Sequence, residues 1–580
     1  MIKKLLTNLG EYKKDSIIIP IYVTGEAAMD VITPMIMAIL IDQGINKGNR
    51  QALLTNGLAL VVCAALSFYF GVKSVRTSAE VAVGFARNLR HNIFARIQTF
   101  SFSNIDRFSP SSLVTRMTTD VTNIQNAYQM GIRIIVRSPL MIIFALIVTF
   151  FINPQLAQIY LWVIPFLVIG MGIVIHFAHP LFNVVFRIYD KLNNVVSENL
   201  QGIRAVKSYV REDEQEEKFN EVSKKIYQTF MKAEQIVAFN MPILQVAVYT
   251  CMLLISWFGA QFIVDGKGFT EGQLLSMFSY TMEILINLNM MSMIFVMILM
   301  SRPSVERVVE VLSEQSDIKN PANPVTKIPN SSVEFKDVSF SYQNEMNNLV
   351  LKNINLKVQP GELIGILGGT GSAKSTLVQL IARLYDVTDG EIKVGGLNVK
   401  NYDLVALRDQ VGMVLQNNVL FHGTIKENLK WGNSQATDDE VISAAKIAQA
   451  DGFVQEFPEK YDTMISQGGT NVSGGQKQRL TIARALLKKP KILILDDSTS
   501  AVDTKTDREI KKGLRETIPG TTTFIISQRI SSIEDADRIV VLDDGEINQI
   551  GTSDELLKTN RIYQEIYQSQ QKGFGQSAGK

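Results

Sequence analysis

The chain has 580 residues, 46 % of them hydrophobic and 20 % charged, with 58 Lys and Arg against 56 Asp and Glu. That length calls for two large units. A formal charge of +2 gives no electrostatic footprint for nucleic acid, and no zinc-finger or base-stacking motif adds one. Two cysteines, Cys63 and Cys251, both in apolar stretches, leave neither a disulfide framework nor a cysteine metal site.

The first ten residues lack a long apolar core followed by a small-residue cleavage site, so no removable signal peptide is expected. Six stretches, 16–41, 53–72, 134–152, 156–177, 241–264 and 274–300, are apolar over the ~20 residues that a ~30 Å bilayer core requires. Lys3, Lys4, Lys13 and Lys14 precede the first, and the long charged segments follow the second and fourth, while Asn153-Pro154-Gln155 after the third carries no charge. The positive-inside rule then puts both termini in the cytoplasm of a multi-pass cell-membrane protein. Lys47 and Arg50 in the short loop 42–52 are a mild exception. Segments 73–133 and 178–240 are polar yet keep helical apolar spacing, as in Phe94, Ile97 and Phe100 or Ile203, Val206 and Tyr209. They read as helices continuing beyond the membrane.

Ionisable groups inside spans are costly and face a partner or a water-filled cavity. Glu26 and Asp30 stand four apart on one face of the first span, a turn before Pro34, and Glu283 lies in the sixth. They form either an acidic lining that attracts cationic amphiphiles or carries protons, or carboxylates hydrogen-bonded between helices. The sixth span also carries Met277, Met282, Met290, Met291, Met293, Met297 and Met300 with Phe278, Tyr280 and Phe295. Such a stripe serves plain packing or a pocket adaptable to hydrophobic compounds, for which Met282 and Met290 are candidates. Pro321, Pro324 and Pro329 among polar neighbours mark a linker over 314–330.

Beyond the linker, Gly368-Gly369-Thr370-Gly371-Ser372-Ala373-Lys374-Ser375 follows an apolar run and opens a helical pattern at Thr376. A P-loop needs that context: backbone N–H groups and a helix N-terminus around phosphates, Lys374 as a point charge, the Ser375 hydroxyl on Mg2+. Alanine stands at 373 where glycine is usual, and at positive φ its methyl costs ~1 kcal/mol of strain; otherwise it crowds the phosphates. Downstream, Ile492-Leu493-Ile494-Leu495-Asp496 is a buried-strand pattern ending in a carboxylate fit to support Mg2+. It follows Ser473-Gly474-Gly475-Gln476 and a helical run.

From about Val333 onward this ordered set resembles the nucleotide-binding domain of ATP-binding cassette (ABC) transporters. The resemblance implies ATP and Mg2+ as cofactors. It makes Tyr342 the aromatic that stacks on adenine, Gln416 the Q-loop residue that touches Mg2+, Asp503 part of the D-loop at a dimer seam, and Gln528 the residue at the switch-histidine position. Residues 368 to 376 would cradle the phosphates, and Ser473, Gly474, Gly475 and Gln476 would close on a partner's nucleotide. The whole chain then resembles an ABC exporter half-transporter: an α-helical membrane domain of six transmembrane helices with long cytoplasmic extensions (1–313), the linker (314–330), an α/β P-loop nucleotide-binding domain (331–570) and a tail (571–580). Short coupling helices would sit near 106–112 and 201–210.

Beside Ala373, two single residues and one four-residue segment depart from the family pattern. Asp497 replaces the glutamate that polarises the attacking water, and a catalytic group misplaced by ~1 Å can cost on the order of 100-fold. Gln528 can hydrogen-bond a γ-phosphate but cannot carry an imidazolium charge or shuttle a proton. Ser466-Gln467-Gly468-Gly469 stands where Gly-Glu-Arg-Gly is frequent. With the signature run Ser473-Gly474-Gly475-Gln476 intact beside two altered catalytic positions, the resemblance implies a heterodimer whose partner supplies a competent glutamate after its Walker B aspartate, the counterpart of Asp496, and a switch histidine. Within it this chain would resemble the degenerate-site subunit of bacterial multidrug exporters, moving hydrophobic compounds by alternating access. A slow homodimer, a lipid or peptide exporter subunit, and a regulatory ATP-binding membrane subunit remain alternatives.

Overall fold

Each apolar stretch lies inside one longer helical segment: Lys3–Ile45, Arg50–Gln98, Pro110–Ile152, Pro154–Gln201, Glu212–Val264 and Glu271–Ser313. At 1.5 Å per residue the second and fourth, of 49 and 48 residues, extend roughly 70 Å, more than twice the ~30 Å apolar core of a bilayer. The polar segments after the second and fourth spans are thus direct continuations of the spans. Helix ends follow local chemistry. Between the third and fourth segments, Asn153 accepts hydrogen bonds from the backbone N–H of Gln155 (2.9 Å) and Leu156 (3.1 Å), with Pro154 in the first turn, so two helices reverse across a single residue. The sixth begins at a capping box between Thr270 and Gln273.

The computed structural model describes residues 2–343 and 345–577. Two units divide the chain: one holds the residues up to Gln98 and Pro110–Glu314, the other Thr99–Ser109 and the residues from Gln315 onward. In the first, the helices pack around Tyr160, Met277, Tyr280 and Ile284, all fully buried. The Tyr160 hydroxyl donates to the Met277 carbonyl (3.1 Å) and the Tyr280 hydroxyl to that of Val31 (2.7 Å), so neither buried phenol is left unsatisfied.

One tip helix matches its expected place and the other is shifted. Ile203–Ser208, between Gly202 and the left-handed Val210 (φ 53°), lies within 201–210. The first is Phe102–Phe108, not 106–112, because a Ser101–Asn104 capping box starts it and Ser109, at φ 42° before Pro110, ends it; Pro110 then opens the next helix.

Among its described residues the second unit carries twelve strands: β1 Val333–Phe340, β2 Leu351–Val358, β3 Leu363–Gly368, β4 Asp389–Val394, β5 Leu397–Asn398, β6 Val411–Val414, β7 Gly423–Thr424, β8 Met464–Ile465, β9 Ile492–Asp496, β10 Thr522–Ile526, β11 Arg538–Asp543 and β12 Glu546–Gly551. One sheet is antiparallel, β2-β1-β4-β5. The larger runs β12-β11-β3-β10-β9-β6 and is parallel except at the β12 edge. Strands β3, β9 and β10 are buried along their whole length, which is why their apolar residues come in runs rather than alternating with polar ones.

The linker segment packs rather than swings. Ile318 and Ile328 are buried, Val325 bridges Tyr402, and Ser101 and Ser103 donate to the Asp317 carboxylate. The tail boundary expected at 571 falls inside the last helix, Arg561–Ser577, where Tyr563, Ile566 and Tyr567 recur at helical spacing against the core; residues 578–580 of that tail lie outside the described residues.

Candidate nucleotide-binding site

Parallel strand register brings the motifs together. Ile526 of β10 lies opposite both Ile366 of β3 and Asp496 of β9, and Val414 of β6 opposite Leu495 of β9. The chain leaves these four strands at one edge of the sheet through 368–376, Gln416, Asp496-Asp497 and Ser527-Gln528. This carboxyl edge is where parallel α/β sheets hold ligands.

In the P-loop, a Cβ added at Gly369 or Gly371 would meet nothing within 4 Å, whereas one at Gly368 would come within 2.4 Å of the Leu542 carbonyl. Gly368 is therefore fixed by packing, and the loop beyond it borders open space that suits phosphates. Ala373 takes the left-handed conformation (φ 67°, ψ 22°), so its methyl sits on a strained backbone. The Lys374 ammonium donates to the carbonyls of Gly368 (2.9 Å) and Gly369 (2.6 Å). Burial lowers its pKa, with Asp496 and Asp497 opposing. Ser375 Oγ donates to Asp496 Oδ1 at 3.0 Å, a hydroxyl and a carboxylate of the hard-oxygen kind that Mg2+ takes together with phosphate oxygens. Burial raises the Asp496 pKa, against the Ser375 hydrogen bond, and raises that of Asp497, against Arg529 and Lys374. Asp497 itself has φ 47°, a region that aspartate tolerates better than most residues.

Tyr342 is half exposed; its hydroxyl meets Thr376 Oγ1 at 2.8 Å, and its ring stands edge-on to Tyr385 at 5.2 Å. Tyr385, which the sequence reading did not single out, donates to Asp106 of the first tip helix (2.6 Å) and packs edge-on to Phe102. Burial and the Asp106 carboxylate push its phenol pKa up. Gln416 and Gln528 are exposed.

Ser473 to Gln476 stand apart from the strand ends, at the head of the helix Gly474–Leu487. Ser473 and Gln476 form its capping box: Ser473 N–H donates to Gln476 Oε1 (2.9 Å), and Gln476 N–H to Ser473 Oγ (3.3 Å). A Cβ on Gly475 would lie 2.8 Å from the Ala501 carbonyl, and Gln478 Oε1 accepts from Ala501 N–H (3.0 Å), so the signature run is held against the D-loop. Asp503 caps the helix Thr504–Thr517 by accepting from Thr506 N–H (2.9 Å). In the segment 466–469, Gly468 (φ 74°) and Gly469 (φ 67°) are left-handed, and Lys477 donates to the Gly468 carbonyl (2.7 Å).

Known proteins share this arrangement. The family model of the ABC transporter transmembrane region matches residues 16–288, and that of the ABC transporter proper matches 351–500. YfiB of Bacillus subtilis, an uncharacterized ABC transporter ATP-binding protein, is 36 % identical over 568 residues, 98 % of each chain. The chain belongs to the ABC transporter family. The ATP-dependent lipid A-core flippase of Desulfotalea psychrophila is 34 % identical over 492 residues, 85 % of each chain. A bacterial Atm1-family ABC exporter solved with ATP bound has the same fold, with a TM-score of 0.83 and 25 % identity over 96 % of this chain and 99 % of that one. This ABC protein is therefore a half-transporter of the exporter type, a multi-pass membrane protein whose ABC domain couples ATP hydrolysis to transport.

In its membrane helices Glu26 and Asp30 lie against arginines. Arg137 Nη2 lies 2.7 Å from Asp30 Oδ2, its Nε 3.6 Å from Glu26 Oε1, and Arg133 Nη2 3.9 Å from Glu26 Oε2. Ser67 donates to Asp30 (2.8 Å) and Arg133 to Ser74 (3.1 Å). Both arginines come from the third helical segment, four residues apart; Arg137 falls inside the stretch 134–152, where its charge was the available signal. Glu283 is half-buried, with Oε2 lacking a hydrogen-bond partner among the described residues. A cavity of about 210 Å³ lies along Asn126, Gln129, Met130, Arg133 and Ile134. Met282 and Met290 are partly exposed, while Met277 is buried.

Proposed function

We propose that this chain is the degenerate-site half of a heterodimeric ABC exporter that moves hydrophobic or amphiphilic compounds, drugs among them, outward by alternating access. The observation that carries this is the pair Asp497 and Gln528, one and two residues beyond the in-register ends of β9 and β10, at the same sheet edge as Lys374 and Asp496. A carboxylate one methylene short and an amide that cannot shuttle a proton leave this site able to hold ATP and slow to cleave it. Tyr342 would stack on the adenine, residues Gly368 to Thr376 would surround the phosphates, and Ser375, Asp496 and Gln416 would hold Mg2+, which would neutralise phosphate charge. Ser473, Gly474, Gly475 and Gln476, with Asp503 at the seam, complete the partner's site. Hydrolysis runs mainly there, and both termini and the nucleotide domain are cytoplasmic.

For the membrane half, paired charges at Glu26, Asp30, Arg133 and Arg137 favour amphiphiles over simple cations, and Glu283, Met282 and Met290 complete the candidate lining. Lipid is the second reading, favoured by the lipid A-core flippase relative; stimulation of ATPase by lipid but not by drug-like amphiphiles would select it. The unequal-site reading is tested in the co-purified pair with Ser473→Ala against Lys374→Ala in this chain. Ser473→Ala should remove most of the pair's ATPase and Lys374→Ala should spare most of it; equal losses would contradict the proposal.

A further inference from the structure

The switch loop after β10 is gripped by the C-terminal helix. Gln570 Nε2 donates to the Gln528 carbonyl at 2.7 Å, and Gln570 Oε1 accepts from Ile530 N–H at 3.0 Å. One primary amide thus spans Arg529 and satisfies a backbone acceptor and donor on either side of it, as a neighbouring strand would. The loop is also tied elsewhere: Ser527 N–H donates to the Ile366 carbonyl of β3 (3.3 Å), Arg529 N–H to Ser527 Oγ (3.0 Å), Arg529 Nη1 to the Val502 carbonyl beside the D-loop (3.3 Å), and Lys511 Nζ to the Ser531 carbonyl (2.9 Å).

Gln570 can hold the loop because its helix is anchored. Tyr563 is fully buried with its hydroxyl on Ser553 (2.8 Å), Asn560 accepts from Tyr563 N–H (2.9 Å), and Ile566 and Tyr567 pack on the core. Positions 563, 567 and 570 follow one another at intervals of four and three, on one helix face. The buried tyrosine fixes the helix two turns before the amide reaches the loop.

We infer that Gln570 is a positioning residue for the γ-phosphate contact: its amide sets the backbone on which Gln528 is mounted and links that contact to docking of the C-terminal helix. This rests on the reading of Gln528 as the residue that meets the γ-phosphate. A loop held in this way discriminates ATP from ADP, whereas a merely structural contact would affect both alike.

The test uses the full chain in lipid, with its co-purified partner, and compares Gln570→Leu, Gln528→Ala and the unaltered chain. Release of radiolabelled Mg-ATP and Mg-ADP from this chain's own site is followed, together with hydrogen exchange of the segment 527–533. Loss of the two hydrogen bonds in Gln570→Leu should speed exchange at Ile530 and Mg-ATP release by about fivefold or more, with Mg-ADP release unchanged. Gln528→Ala should give the same ATP-selective effect. If Gln528→Ala alone is ATP-selective, the Gln570 inference is overturned while the γ-phosphate reading stands; if neither is, both fall. Equal acceleration of ATP and ADP release by Gln570→Leu reduces the contact to a structural one and also overturns the inference.

Discussion

Ala373 places a methyl where the backbone is left-handed, and the strain is present before any nucleotide arrives. Glycine there would relieve ~1 kcal/mol of strain but lose ~0.5–1 kcal/mol to its greater unfolded freedom. Ala373→Gly should therefore shift stability by less than about 1 kcal/mol and leave ATP affinity unchanged by titration. Tenfold tighter binding would show that the methyl crowds the phosphates instead. Asp496 offers a pH test. Burial raises its pKa, so the stability it contributes is complete below the ordinary carboxylate range near ~4 and is lost as pH rises through the raised value. Asp496→Asn, which keeps an acceptor for Ser375, should melt higher than the unaltered chain at pH 8, and the gap should close as pH falls toward that range. A gap independent of pH would contradict the assignment.

At the scale of elements, the six spans and the strand–loop–helix of the P-loop are legible because each rests on local signals: apolar runs of the right length and a glycine loop. The first tip helix begins four residues before the expected 106–112, because Ser101 caps it and Pro110 opens the next helix. What sequence could not show was pairing across long separations. Asp30 and Arg137 are 107 residues apart, Tyr385 and Asp106 are 279, and Gln570 and Gln528 are 42; no periodicity encodes such partners. The charge pairing has a measurable cost. Arg137→Leu leaves Asp30 and Glu26 undercompensated and should destabilise the membrane unit, by less than the ~3–5 kcal/mol of a fully buried pair because its side chain is 37 % exposed. Arg137→Leu with Asp30→Leu should recover most of the thermal midpoint in lipid; no recovery would mean that Arg137 acts through packing rather than charge.

For the whole molecule, the proposed unequal dimer rests on two side chains at one sheet edge combined with a signature helix whose capping box is complete. Asp497→Glu restores the missing methylene but places glutamate at φ 47°, where a residue other than glycine, asparagine or aspartate bears ~1–2 kcal/mol of strain. A gain in rate would therefore come with a loss in stability. The deciding measurement is the ATPase rate of the purified chain in lipid, alone and co-purified with its partner, each with and without Asp497→Glu. The account predicts near-silence alone, Mg2+-dependent turnover with the partner, and a rise on Asp497→Glu in the pair. Brisk turnover by the unaltered chain alone would show that Asp497 and Gln528 suffice for hydrolysis, and the unequal-site account would be wrong.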